Sequence, residues 1–182
     1  SLKGDVFHER TCFRGCSLGD YLTVLGETPE NTEKKYSSWH FCDNREDAEQ
    51  LALLVLRGVK RATASALWCY EEEKEPLPRE GDYSIVTDWE GRAVCIVRTL
   101  RLQVFPFNEV PPEFAAREGE GDGSLEYWRR EHEAAFSRGL REYGLEFRED
   151  MPVLCEEFEV VHRGVWPPET SCSGENFGAP GS

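Results

Sequence analysis

The feature that most restricts the fold is a change of period at Gly58. Upstream, Ala48, Leu51, Ala52 and Val55 fall at the i, i+3, i+4, i+7 spacing that places four apolar side chains on one face of a helix. Asp43, followed three residues later by Glu46, fits a capping box, in which each side chain accepts from an otherwise unpaired backbone N-H of the first turn. Gly58 suits the left-handed position just past the last turn, where a Cβ is sterically penalised. Beyond it residues 63–70 predict a strand, and the charged run 71–75 ends that strand in a solvated loop. Lys60, Thr63 and Ser65 all fall just after the glycine. A cation and two hydroxyls placed past a helix end can gather at one pocket mouth.

Further along, residues 83–87 and 93–104 predict a hairpin around Asp88-Trp89-Glu90-Gly91, a turn closed by glycine. Val94, Ile96, Leu100, Leu102 and Val104 keep a period of two except near Arg98, which predicts one buried face and a bulge at that point. Leu125, Trp128, His132, Ala135, Phe136 and Tyr143 then return to helical spacing, with Ser124 placed as the N-cap and Trp128 and Phe136 docked on the sheet. His132, on that apolar face, reads as a hydrogen-bonded core residue. Residues 151–161 supply a last strand. Several short strands with two or three helices indicate an α+β fold.

A chain of 182 residues is long enough for one domain, and one of ~150 residues buries roughly 70% of its unfolded surface without staples. The polar residues 1–35, with a turn-rich stretch at Gly26-Glu27-Thr28-Pro29-Glu30-Asn31, read as an N-terminal arm, and residues 164–182 as a flexible C-terminal tail. The domain is expected over 36–163. The net charge is -14, from 35 acidic and 21 basic residues, which disfavours long-range, salt-driven binding of a polyanion. Any RNA contact must therefore be local, and the candidate cations are Arg57, Lys60 and Arg61, joined by Arg129 and Arg130. Nothing in the sequence singles out DNA.

Seven cysteines, odd in number and without a C-x-x-C pair, read as reduced thiols of a cytoplasmic protein. His8, Cys12 and Cys16 recur every four residues, but three ligands in a segment containing Gly15 and Gly19 fit zinc poorly. No metal ligands are assigned, and no cofactor is specified: a divalent metal stays open, with no motif to hold it. No apolar run approaches the ~20 residues that span a bilayer, and Ser1-Leu2-Lys3-Gly4 lacks the apolar core of a signal peptide, so no membrane partner is expected.

Gly58-x-Lys60-x-x-Thr63-x-Ser65 after a helix resembles the opening signature of the ASCH domain family. The likeness continues in family order. Gly81-Asp82-Tyr83 resembles that family's turn into a strand, Ala115-Ala116-Arg117-Glu118-Gly119 its Ala-x-x-Glu segment, Gly123-Ser124-Leu125-Glu126-Tyr127-Trp128 a helix start, and Glu156-Glu157-Phe158-Glu159-Val160-Val161 the closing strand. The resemblance covers about residues 36–162 and implies a PUA-like β-barrel flanked by helices, binding RNA or a nucleobase. Some members hydrolyse RNA, and small relatives hydrolyse an acyl amide on cytidine.

Matching motif to motif, the resemblance implies catalytic roles for Lys60, Thr63 and Glu118: Thr63 as nucleophile or water-orienting group, Lys60 and Glu118 in proton transfer and charge stabilisation. A carboxylate close to Lys60 keeps it cationic, whereas burial lowers its pKa. With Glu118 ionised nearby, Lys60 is assigned as the electrostatic stabiliser and Glu118 as the base. On a regular strand, residues three apart face opposite ways, so Lys60 and Thr63 share a pocket only if the segment turns between them. Arg57, Arg61, Ser65, Ser124, Tyr127 and Arg129 complete the expected binding set, with Tyr127 or Trp39 able to stack a base. The 118–123 loop and the Tyr127–Arg130 segment depart from the small amidohydrolases, so substrate identity does not transfer. The expected function is an RNA or modified-nucleoside hydrolase of ribonuclease type. The alternatives are a noncatalytic RNA or nucleotide-binding module and an N4-acylcytidine-type amidohydrolase.

Overall fold

The computed structural model describes residues 22–23, 26–27, 36–42 and 44–164. His8, Cys12, Cys16, Asp43 and the tail after Gly164 lie outside them. Five strands, β1 (Tyr36–Trp39), β2 (Ala62–Ala66), β3 (Tyr83–Thr87), β4 (Ala93–Pro106) and β5 (Pro152–Arg163), form one mixed sheet in the order β1-β3-β4-β5-β2. Four helices, α1 (Arg45–Leu56), α2 (Leu67–Glu73), α3 (Pro112–Glu118) and α4 (Leu125–Arg141), pack around it. β1 runs parallel to β3 and every other pairing is antiparallel. The class is α+β, as expected. The barrel is not closed: β1 and β2, four and five residues long, stand at opposite edges and pair only with β3 and β5.

β4 and β5 are the long strands that join two cores. β3 covers only the first half of β4, up to Tyr83 opposite Arg98, while β2 pairs with residues 153–157 of β5. At the β2 end, Ala62, Ala64 and Ala66 put small side chains on one face, against which Phe114 of α3 and Trp128 and Phe136 of α4 pack with Phe107 and Met151. At the other end α1 lays Ala52 and Val55 on Val86, Val94, Val97, Phe158, Trp39 and Phe41. Each large apolar side chain so buried contributes about 1.5 to 3 kcal/mol relative to exposure. The functional question concerns the seam between these two cores.

Local structure corrects the sequence reading at three points. The N-cap of α1 is Asn44, whose side chain accepts from the Asp47 N-H at 2.9 Å and donates to the Asp47 carboxylate at 2.8 Å. β2 stops at Ala66 and residues 67–70 are helical. The pairing partner of Ala66 is Val153, one residue inside the start of β5 at Pro152, which has no N-H to extend the ladder. β4 is buried on both faces over Ala93–Val97, because the α1 core covers one side and Tyr36, Tyr83 and Val161 cover Ala93 and Ile96 on the other. Leu100 and Val104, expected on a buried face, are exposed. The register shifts of the β4–β5 pair, between Ile96 and Val97 and between Thr99 and Arg101, flank Arg98, where the bulge was expected. Ser124 caps α4 by accepting from the Tyr127 N-H at 3.1 Å.

Candidate active site

Lys60 is turned inward by the way α1 ends. Gly58 adopts φ +74°, and the N-H groups of Val59 and Lys60 both donate to the Leu54 carbonyl, at 2.9 and 3.1 Å, folding the chain back under the helix. The next N-H, that of Arg61, donates to the Arg117 carbonyl at 2.8 Å and hooks this turn onto α3. Val59 and Arg61 are exposed while Lys60 between them is 1% exposed. The end of α3 is pressed equally close. Gly119 is left-handed at φ +64°, and a Cβ there falls 2.4 Å from the Val59 carbonyl oxygen, a backbone atom that cannot swing aside. Gly119→Ala is therefore expected to destabilise the fold by about 2 to 4 kcal/mol, read by chemical unfolding, through overpacking added to left-handed strain.

These two turns bring four ionisable side chains together. The Lys60 ammonium donates to Glu118 Oε1 at 3.1 Å and to Glu120 Oε1 at 2.6 Å, and lies 5.2 Å from the centre of the Phe41 ring. Glu118, equally buried, also accepts from the indole N-H of Trp128 and faces His132 Nε2 at 3.0 Å. The other imidazole nitrogen, Nδ1, lies 2.8 Å from the Trp128 carbonyl, and the two rings, four residues apart on α4, stack at 4.2 Å. Both ring nitrogens thus lie within hydrogen-bond reach of an oxygen.

The electrostatics follow from burial set against charge. Burial pushes the Lys60 pKa down, but Glu118 and then Glu120 outweigh it, and the net direction is upward. Burial pushes the Glu118 carboxyl up, but His132 and then Lys60 hold it well below the usual carboxylate range. Lys60 is accordingly a cation and Glu118 a carboxylate that already faces three donors and is held well below the usual range, which makes Glu118 a poor base. Glu120, with its side chain 20% exposed, is the carboxylate within reach of a ligand.

Over this floor lies a cleft of about 220 Å³ between α1 and α4. Leu51 and Leu54 of α1 form one wall and Tyr127 and Ala135 of α4 the other. Five carboxylates line it, those of Asp47, Glu118, Glu120, Glu131 and Glu142, against the single guanidinium of Arg138. Cys42 also lines it, and burial first of all pushes its thiol up to about 11, so it presents no thiolate at neutral pH.

The expected site is thus brought together in part. Lys60 and Glu118 meet, although of the two only Glu118 is among the residues that line the cleft. Thr63 and Ser65 are buried but are not among the residues that line the cleft: Ala62, Ala64 and Ala66 take the face of β2 toward α3 and α4, leaving the two hydroxyl residues on the face of Glu156, the register partner of Thr63, where Glu156 Oε1 accepts from the Thr99 hydroxyl at 2.7 Å. Tyr127 lines the cleft, but its ring is pressed over Gly121, where a Cβ falls 2.4 Å away, with the Arg130 guanidinium 5.2 Å from its centre. Trp39 is buried in the α1 core. Ser124 serves as the helix cap, and Arg129 donates to the Asn108 carbonyl at 2.9 Å. Arg57 and Arg61 are exposed. Among the described residues no three His, Cys, Asp or Glu side chains are grouped to hold a metal ion, and no helix is long and apolar enough to cross a membrane. Glu120, Trp128 and His132 were not among the expected site residues. The four-residue spacing of Trp128 and His132 on α4, and the two glycines flanking Glu120, are the signals that point to them.

The model of the ASCH domain family matches residues 37–162. Among solved structures, the chain is similar to an ASCH domain from Lactobacillus crispatus, with 39% identity and a TM-score of 0.73 over 80% of this chain and 92% of that one. It is also similar to protein EF3133 from Enterococcus faecalis, with 34% identity and a TM-score of 0.70 over 79% of this chain and 85% of that one. No curated protein matches the chain.

Proposed function

The chain belongs to the ASCH domain family, which is generally RNA-binding, and we propose that it hydrolyses an acyl amide on a nucleobase held in the cleft between α1 and α4. The observation that carries this reading is the pair of carboxylates, Glu118 and Glu120, that line the cleft with the buried Lys60 ammonium behind them, bonded to both. Its about 220 Å³ falls below the ~300 to 1,000 Å³ of pockets for drug-sized ligands and suits one base or a small nucleoside. Amide hydrolysis needs a base for the attacking water more than it needs surplus positive charge, and the cleft supplies carboxylates. Glu120 is the candidate base that takes the proton of the attacking water. Thr63, off the cleft wall, is left without a part in this chemistry.

The ribonuclease reading is less well supported, because cleavage of a phosphodiester needs surplus positive charge around the phosphate. Here Lys60 already serves two carboxylates, and the walls carry three more acidic side chains against Arg138 alone. The noncatalytic binder draws support from the three partners that already hold Glu118. Incubation with a panel of N-acyl nucleosides and short single-stranded RNAs, with and without divalent metal, separates the three. Release of the acyl group is the expected product. Strand scission with intact acyl nucleosides overturns the proposal in favour of a ribonuclease, and binding without product in favour of the binder.

A further inference from the structure

We propose that Arg138 is a catalytic residue of this cleft, the donor that receives the carbonyl oxygen of the acyl group as it becomes an oxyanion. The inference rests on the reading of the cleft as an amidohydrolase site and adds the electrostatic partner of its reaction. Water gives one proton to Glu120 and its oxygen bonds to the acyl carbon, so the carbonyl π pair moves onto oxygen. When that pair returns, the C-N bond breaks and Glu120 passes the proton to the departing amine. The products are the carboxylic acid and the unmodified exocyclic amine. Between the two stages a negative charge sits on one atom, within a cleft lined by five carboxylates.

Few groups can meet that charge. Lys60 stands behind two of the carboxylates, bonded to both, and is not among the residues that line the cleft. Of the lining side chains that can donate, His132 has each ring nitrogen beside an oxygen, Gln50 turns its amide to Glu46 on its own helix at 3.5 Å, and the Cys42 thiol is a weak donor. Tyr127 and Arg138 are left. The Tyr127 ring is fixed over Gly121, the residue after Glu120, which puts it on the side of the base. Arg138 brings the one guanidinium among the described residues that line the cleft.

Its place on α4 suits the part. His132, Ala135 and Arg138 follow one another at intervals of three along the lining, and Arg138 stands about 9 Å along the axis from His132, whose Nε2 faces Glu118. The Cα-Cβ bonds of a helix tilt toward its N-terminus, which aims the Arg138 stem back over Ala135, a single methyl group, toward the two carboxylates on Lys60. Five N-H donors let a guanidinium hold a carboxylate such as Glu142, one turn further on the same wall, and still offer an N-H to an oxyanion. The ordinary task of a cation in the last turn, complementing the helix dipole, falls equally to Arg141, which does not line the cleft.

Turnover of N4-acetylcytidine tests this. Arg138 is exposed, so screening by water sets the expected effect below the ~10²- to 10³-fold of an enclosed oxyanion donor. Arg138→Ala is expected to lower kcat about 10- to 100-fold with KM within about twofold of wild type, and Arg138→Lys to fall between the two. Guanidinium ion, well below denaturing concentrations, is expected to restore part of the kcat of Arg138→Ala and to leave wild type unchanged. A kcat equal to wild type in Arg138→Ala overturns the assignment. So does a rise in KM with kcat unchanged, which makes Arg138 a ground-state contact, and so does a loss of kcat without guanidinium rescue in a variant that unfolds more easily, which makes it structural. Wild type that releases no acetate sinks the reading of the cleft and this inference with it. Wild type that releases acetate beside an equally active Arg138→Ala sinks this inference alone, and if Tyr127→Phe then loses kcat the donor is Tyr127.

Discussion

Lys60→Met is expected to lower stability by about 3 to 5 kcal/mol, a fall in Tm of about 10 to 20 °C, because it strands the Glu118 carboxylate 1% exposed beside an apolar side chain. The size of the effect reports desolvation of the orphaned charge more than the strength of the lost bond. Glu118 keeps Trp128 and His132 as donors, which places the expectation in this range and below the cost of a wholly isolated buried ion. The same substitution in a Glu118→Gln background is expected to cost clearly less, since no carboxylate remains to be stranded at that position. Equal costs in the two backgrounds, measured by chemical unfolding, would show that Lys60 and Glu118 are not energetically coupled.

The pH dependence of stability follows from the same pair. Glu118 has a folded pKa below its unfolded value of ~4.3, so its contribution is present above pH ~4.3 and is lost as pH falls through the lower folded value. Lys60 has a folded pKa above its unfolded value of ~10.4, so its contribution is full below pH ~10.4 and is lost as pH rises through the higher folded value. Stability from this cluster is therefore flat between those limits and falls off outside both. Lys60→Met is expected to move the acid limb to higher pH, because Glu118 then loses the Lys60 charge that helps to hold its pKa down.

Much of this arrangement was legible in the sequence wherever a local rule and the tertiary structure agree. The apolar spacing of α1, Gly58 as its stop, the hairpin of β3 and β4, the bulge around Arg98 and Ser124 at the head of α4 all rest on interactions within a few residues of one another. The failures lie where distant partners decide. Residues 67–70 look extended, but Pro152 ends the partner strand and the chain turns helical. Leu100 and Val104 have the period of a buried face, yet β3 ends opposite Arg98 and leaves that half of β4 open. Lys60 and Glu118, 58 residues apart, could be paired only through the likeness to a known family, and nothing local shows that Ala62, Ala64 and Ala66 would turn Thr63 away from the helices. His132 is the buried, hydrogen-bonded residue its place on the apolar face of α4 predicts, but its contact with Glu118, like the role of Glu120, arises from the meeting of the 118–123 loop, α4 and the Gly58 turn and has no local signal.

Glu120→Gln is expected to lower kcat for release of the acyl group by about 10²- to 10⁴-fold while leaving KM and stability near wild type. The reason lies in the division of labour between the two carboxylates on Lys60. Glu118 is buried, accepts from Lys60, Trp128 and His132, and is held below the usual carboxylate range, so it has little affinity for another proton. Glu120 meets Lys60 at 2.6 Å from the open side of the cleft and is held there by a loop whose glycines approach Val59 and Tyr127 more closely than any side chain permits. An amide in place of its carboxylate still accepts from Lys60 through the carbonyl oxygen but cannot take a proton from water, so a binding or packing role would survive the change and a base would not. Glu118→Gln is expected to show the opposite pattern, with stability reduced and residual turnover in the fraction that folds. If Glu120→Gln keeps full turnover, or if Glu118→Gln folds at wild-type stability and is inactive, the base is Glu118 and the order of the two carboxylates is reversed.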